Sequence, residues 1–494
     1  MLRTTGLASA REHIGQWRIS RAGTQSEAAH AISHREIRRS DGNFLFLTFP
    51  QNAICCRNFV RERAMSKTVH DSSVERALDA GLLPISNSRR WTLVGLLFVA
   101  SFINYLDRAT ISVALPLISV DLHLGPETKG LVLSAFFWSY ALMQIPVGWC
   151  ADRWNLRWLY AGLFAIWSLA CGFTGFAGSL LVLILLRIVL GVGESIYLPG
   201  GTKIVSLLFP SAERGLPSGL FDSGTRLGLA VGAPLIAALI TFCGWRNMFA
   251  LVGFIAVLWV VPWLLAAPRN LQSVPSVPVD GAPSPSRRIH FNRNLFGMCL
   301  GFFCFDYYWY LYVTWIPDYL VTVRHLTLVR AGFYAALPYF VFGACQPLGG
   351  WIADALIRRG WNETRTRKTM LGAAFLCGLM LIPAARAVSP LSALAFLVGG
   401  SFVGLANGNM FAILQNCAPP SEVGIWTGFE NFAGNIGGVL APVVTGFLIA
   451  RTGAYLPAFA LATGILLVGI FAYGFIVGEL RPVVSELQGA PHSS

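Results

Sequence analysis

After Arg90, stretches of about 20 or more mainly apolar residues recur almost to the end of the chain, each long enough to cross a ~30 Å hydrocarbon core as a helix. They fall near 91–118, 127–149, 158–177, 179–203, 216–242, 245–267, 293–318, 327–353, 367–388, 389–417, 422–450 and 453–478. Lipid offers backbone N–H and C=O groups no partners, so runs of this length are read as helices. The expectation is an all-α membrane protein with twelve transmembrane helices in two pseudo-symmetric six-helix bundles.

Composition agrees with a chain that expects lipid around it. Of 494 residues, 55% are hydrophobic and only 12% charged, where a soluble domain carries about 25% charge. The net charge of +13 does not point to nucleic acid, because most of the basic residues outside the N-terminal stretch sit in short loops between apolar runs. Counted on alternate sides from Arg89 on, sixteen Lys and Arg lie on one face and six on the other. Basic loops stay in the cytoplasm, so both termini are expected there, in a bacterial inner membrane.

The organisation reads as an N-terminal extension over 1–88, Arg-rich and disordered or accessory; a first bundle over 89–268; a Pro/Ser/Arg-rich cytoplasmic linker over 269–292; a second bundle over 293–478; and a tail over 479–494. The ten cysteines form no C-x-x-C pair, and most stand singly in apolar runs, so neither a metal nor a disulfide is expected. Gly191-x-Gly193 follows no strand and is no nucleotide loop. No catalytic constellation or cofactor site emerges. The chain reads as a transporter, not an enzyme, with lipid, a small organic anion and protons as its partners, working as a monomer.

Charges inside apolar helices are the informative residues. Each costs ~2.5–3.5 kcal/mol at the centre of a span and so needs a partner or a task. Asp107 and Arg108 lie halfway along helix 1; Arg187 and Glu194, nearly two turns apart, share one face of helix 4, which should look into a cavity. A carboxyl in a partly dry cavity is pulled toward neutrality by desolvation and toward ionisation by a nearby arginine, a balance that suits Asp107 and Glu194 to carrying protons. An arginine can grip a carboxylate with two prongs, which suits Arg108 or Arg187 to an organic anion. Asn431 and Asn435, one turn apart in helix 11, can bind hydroxyls. Asp222, Thr225, Arg226, Asp306, Glu430 and Asn409 are further polar groups in the spans, where the substrate preference could be set. Helix 7 carries the ring-rich run Tyr307-Tyr308-Trp309-Tyr310-x-Tyr312, which suits a sugar and an aromatic acid equally.

The two halves echo each other. Gly148-Trp-Cys-Ala-Asp152-Arg153 after helix 2 matches Gly350-Trp-Ile-Ala-Asp354 after helix 8, and glycines at four-residue spacing recur in helices 5 and 11. The loop from Gly148 through Arg157, its copy at 350–359, the twelve helices and the linker together resemble the major facilitator superfamily over about 89–478. Asn104-Tyr105-Leu106-Asp107-Arg108, Phe136-Phe137-Trp138-Ser139-Tyr140-x3-Gln144-Ile145-Pro146 and Arg187-x6-Glu194 resemble its anion:cation symporter family, which includes bacterial carriers of galactonate, glucarate and hexuronates. The resemblance implies that Tyr105, Arg108, Tyr140 and Asn431 contact substrate, that Asp107 and Glu194 take protons and that Arg187 tunes the nearby acid. It also implies that Asp152, Arg153 and Arg157 gate the cytoplasmic side. Helix 5 departs from the pattern, with Asp222 where relatives often show Asn and Thr225 where the galactonate branch has Gln. The expected function is proton-coupled import of an organic anion, a sugar acid; the alternatives are import of an aromatic or dicarboxylic acid on the same fold, and export of an organic anion.

Overall fold

A computed structural model describes residues 82–272 and 290–482. The extension up to residue 81, the linker over 273–289 and the tail beyond 482 therefore lie outside the described residues. Among those described there is no strand. The spanning helices are α1 (Asn87–Asp121), α2 (Pro126–Arg153), α3 (Leu156–Thr174), α4 (Leu180–Leu208), α5 and α6 (the two arms of Gly215–Ala266), α7 (Arg293–Thr322), α8 (Leu328–Arg358), α9 (Glu363–Arg386), α10 (Pro390–Cys417), α11 (Val423–Thr452) and α12 (Leu456–Ile476). Ten stretches meet a plain length and hydropathy criterion for a span. Dividing Gly215–Ala266 and adding the more polar α7 makes twelve. The division is at Gly244, whose φ of 78° reverses the chain between α5 and α6 in a conformation that only glycine adopts cheaply.

Helix starts are marked by side chains that accept an amide of the first turn: Ser86 for α1, Asn155 for α3, Ser179 for α4, Asn292 for α7 and Thr327 for α8. One boundary differs from the sequence reading. The Gly148–Arg153 motif is not a loop but the last turns of α2, and its copy is the end of α8. Both helices continue because their acids reach partners in the opposite half.

Within the first half α1 packs on α5 and α2 on α4; within the second, α7 packs on α11 and α8 on α10. Across the halves α5 meets α8 and α2 meets α11. These crossings are close only toward the face that carries the basic loops. A Cβ on Gly148 would stand 2.4 Å from the carbonyl oxygen of Gly424, and one on Gly219 would stand 2.2 Å from that of Gln346. Past Arg226, α5 turns its glycines to α1, where Gly228 abuts the Phe102 carbonyl; past Asn431, α11 turns Gly434 and Gly438 to α7. The halves are therefore sealed together on the basic face and part on the other.

Candidate functional site

A cavity of about 510 Å³ opens between the halves on the face opposite the basic one, walled by α1, α5, α7 and α11 with Phe137 of α2. Its polar floor, with only about 30 Å³ of free space, is lined by residues of both halves, among them Tyr105, Arg108 and Tyr140 from the first and Asp306, Asn431 and Asn435 from the second. A groove of about 570 Å³ between α1 and α6 is lined by apolar residues such as Leu96, Val99 and Pro262 on the outer flank, and it offers nothing to an anion.

Helix α1 turns about 100° per residue, so adjacent Asp107 and Arg108 face different surroundings. Arg108 faces the cavity inside a box of rings, its guanidinium 4.7 Å from the Tyr105 centroid, 4.6 Å from Tyr140 and 5.2 Å from Phe136. Its Nε donates to Glu194 Oε2 at 3.3 Å, while Nη2 is buried with no hydrogen-bond partner among the described residues. Asp107 faces the interior of the first half. There the Cys171 thiol donates to its Oδ1 at 3.5 Å, and Oδ2 has no partner among the described residues. Glu194 is fully buried, and its Oε1 has no hydrogen bond among the described residues.

The α4 face bearing Arg187, Gly191 and Glu194 lies against α2 rather than opening into the cavity, because a Cβ on Gly191 would meet Ser139 Oγ at 2.1 Å. Arg187 also lies against the Phe136 ring, at 5.0 Å, and is not among the lining residues. Among the described residues, Glu194 thus meets the cavity through Arg108, while Asp107 is bonded to Cys171 and does not line it.

Two polar bridges cross between the halves at floor level. Asn431 Nδ2 donates to the Tyr140 hydroxyl at 3.2 Å, and Gln346 Nε2 donates to Asp222 Oδ2 at 2.8 Å. Asn435 Nδ2 is tied back to the Asn431 carbonyl at 2.7 Å. Asp222 also accepts from the Tyr197 hydroxyl. Arg226 lies with its guanidinium 3.8 Å from the Trp309 centroid and donates to Thr225 Oγ1 at 3.2 Å. Thr225 does not line the floor. Nor does Glu430, which is buried against α12 with the Tyr473 hydroxyl at 3.3 Å. Asn409 lies well below, on the Gly349 and Leu405 carbonyls. Its neighbour Asn407 is the member of that pair on the floor, with Tyr197 and Tyr310. Of the ring-rich run in α7, only Trp309 and Tyr310 reach the cavity; Tyr308 and Tyr312 bond the Gly400 and Leu397 carbonyls of α10.

The closed basic face is held by two acids that each cap a helix of the other half. Asp152 accepts the amides of Gly424 at 2.9 Å and Ile425 at 2.8 Å, at the start of α11, and pairs with Lys203 Nζ at 2.7 Å. Asp354 accepts the amides of Gly215 at 3.1 Å and Leu216 at 2.8 Å, at the start of α5, and pairs with Arg367 at 3.0 Å. Carboxylates at helix N-termini are favoured by the free amides and the helix dipole together. Arg153 instead stacks on Trp149 of its own helix at 4.3 Å, and Arg157 donates to the Ala267 carbonyl at 2.5 Å, within the first half. Sequence reasoning counted Lys203 and Arg367 only as loop charges. The signal missed for Lys203 was that α4 runs on to Leu208, which puts an amine inside the helix where it needs a buried acid.

Comparison with known proteins agrees with this architecture. The family model described as Major Facilitator Superfamily matches residues 97–442. The D-galactonate transporter of Escherichia coli is 30% identical over 423 residues, covering 80% of this chain and 97% of that protein. The probable galactarate/D-glucarate transporter of Bacillus subtilis is 29% identical over 435 residues, covering 81% and 94%. The crystal structure of the transporter FucP in the outward conformation shares the fold, with a TM-score of 0.62 at 16% identity over 78% of this chain and 99% of that one. With twelve helices in two halves and a polar floor between them, the chain belongs to the major facilitator superfamily, whose members are transporters and not enzymes.

Proposed function

We propose that the chain imports an organic anion, a sugar acid of the aldonate, aldarate or hexuronate type, together with protons, by alternating access of the central cavity. The observation that carries this reading is the 3.3 Å pair between Arg108, which lines the cavity floor, and Glu194, buried behind it. A carboxylate entering the cavity competes with Glu194 for the same guanidinium, and a proton on Glu194 releases Arg108 to the incoming anion. Substrate and proton binding thereby favour each other, which is the thermodynamic content of symport. Asp107, linked to the same cluster through α1, holds a second proton; Arg187 tunes the pair from beside Phe136. Tyr105, Tyr140, Asn431 and Asn435 orient the hydroxyls. The relatives named for galactonate and galactarate/glucarate support the substrate class. An aromatic acid is less well supported, because most of the α7 rings serve packing.

The chain is placed as a monomer in a bacterial inner membrane, with the basic face and both termini cytoplasmic. The cavity then opens outward, and the halves over 89–268 and 293–478, joined through 269–292, rock about it. Asp152 and its copy Asp354 gate the cytoplasmic side, with Arg153 and Arg157 as helpers at the helix ends. Uptake of labelled sugar acids into proteoliposomes tests the reading. Accumulation should follow an inward proton gradient, and Glu194→Gln should abolish that drive while leaving substrate exchange at equal pH. Uptake indifferent to the gradient and unchanged in Glu194→Gln would reject proton coupling.

A further inference from the structure

We propose that Asp306 sorts substrates by the end that lies away from Arg108, accepting a chain that ends in hydroxyl donors and refusing one that ends in a second carboxylate. The inference rests on the sugar-acid import reading and narrows it, from aldonates, aldarates and hexuronates to those with a single carboxylate.

Four charged groups line the floor: Arg108, Asp222, Arg226 and Asp306. Arg108 has Glu194, and each oxygen of Asp222 is engaged, one by the Tyr197 hydroxyl and the other by Gln346 Nε2. Arg226 is engaged by the face of Trp309, by the Phe342 ring at 5.2 Å and by Thr225, and its Nε is sealed from the cavity. Asp306 differs. It is 8% exposed, yet among the described residues it has no hydrogen bond and no ion pair within 4.0 Å. It sits in a slot that Gly434 leaves open, since a Cβ there would stand 2.4 Å from Asp306 Oδ2. Asn431 and Asn435 of the same helix line the floor with it, so groups that can bond hydroxyls share the acid's pocket.

A carboxylate nine-tenths buried without a donor is an incomplete hydrogen-bonding group, and a cargo that donates to it completes the site. The hydroxyls of an aldonate tail donate. A second carboxylate has nothing to donate and brings like charge against Asp306, so the same acid that attracts one tail repels the other. Arg108 and Asp306 line one small floor from opposite halves. A single-carboxylate sugar acid therefore bridges the halves with an acceptor end on Arg108 and a donor end on Asp306.

Competition in proteoliposomes between acids that differ only at the far carbon tests this: gluconate against glucarate, and galactonate against galactarate. The native protein should prefer the single-carboxylate member of its better pair by roughly tenfold in half-saturating concentration. Asp306→Asn, which keeps shape and removes charge, should collapse that ratio by about tenfold, with the dicarboxylate gaining as the other loses. Equal or better transport of the dicarboxylate by the native protein overturns the inference even where the variant does not fold, and so does an unchanged ratio in Asp306→Asn. Uptake of none of the four acids would remove the sugar-acid reading and this inference with it; uptake of both classes alike removes only the inference.

Discussion

Arg108 shows how much one side chain in a dry cavity depends on its shape as well as its charge. Three rings within about 5 Å cradle the guanidinium, one oxygen of Glu194 takes Nε, and among the described residues Nη2 has no partner. A lysine would keep the charge and a contact with Glu194 but lose the planar fork and the stacking on Tyr105 and Tyr140. Arg108→Lys is accordingly expected to fold, to show native-like thermal stability, and to bind sugar acids at least ~10-fold more weakly by calorimetry. Native affinity in that variant would remove Arg108 from the substrate site. Its legibility in the sequence had a physical basis, because a charge in a long apolar run is costly and stands out. Tyr105, Tyr140 and Asn431 were named through the family motifs and do line the floor. What one sequence could not show was direction: Asp107, Arg187 and Glu430 are equally conspicuous, but their helix faces point into the bundles. Asp306 stood out as a charge but not as the unpartnered one, since that depends on what the floor residues of six other helices already bond.

At the scale of helices, closure of the basic face depends on missing side chains as much as on charged ones. Gly148 and Gly424 pack backbone to backbone, and this contact carries the end of α2 far enough for Asp152 to cap α11. Gly148→Leu puts a branched side chain where only 2.4 Å is available to a Cβ, so the two helices cannot close. The variant is expected to bind in detergent but to lose about tenfold or more of its uptake rate, because the outward-open state no longer forms. Gly162→Ala, on a face of α3 with nothing within 4 Å, is the matched control and should transport normally. Uptake by Gly148→Leu equal to that control would show that this contact does not limit the cycle. The spans were readable because lipid imposes a length on each helix. The end of α2 was not: Asp152 makes its motif look like a loop, and the amides that make it a cap lie 272 residues further along the chain.

For the whole molecule, the two caps are related by the pseudo-symmetry of the halves, Asp152 on α11 and Asp354 on α5, each with a buried cation at its side. Removing one member of a buried pair leaves an uncompensated charge at a cost of about 3–5 kcal/mol. Each ion pair lies within one half, Asp152 with Lys203 in the first and Asp354 with Arg367 in the second, so opening the basic face uncaps four amides of the opposite halves together, which favours an all-or-none change over gradual leakage. The copied motif suggested the symmetry in advance, while Lys203 and Arg367 became visible only in the packing within each half, beside Asp152 and Asp354. Hydrogen exchange can follow this device directly, because the amides of Gly215, Leu216, Gly424 and Ile425 are protected only while the caps hold. Under import conditions, with acid and a transported anion present, peptides covering 215–220 and 423–428 should exchange faster together as the basic face opens. Segments lining the opposite opening, such as 109–113 and 438–442, should exchange more slowly in step. Asp152→Asn should raise exchange at both caps without any substrate, since the symmetric partner cannot hold the halves together alone. Independent loosening of one cap, with the other unchanged, would show that the halves do not rock as two rigid bodies.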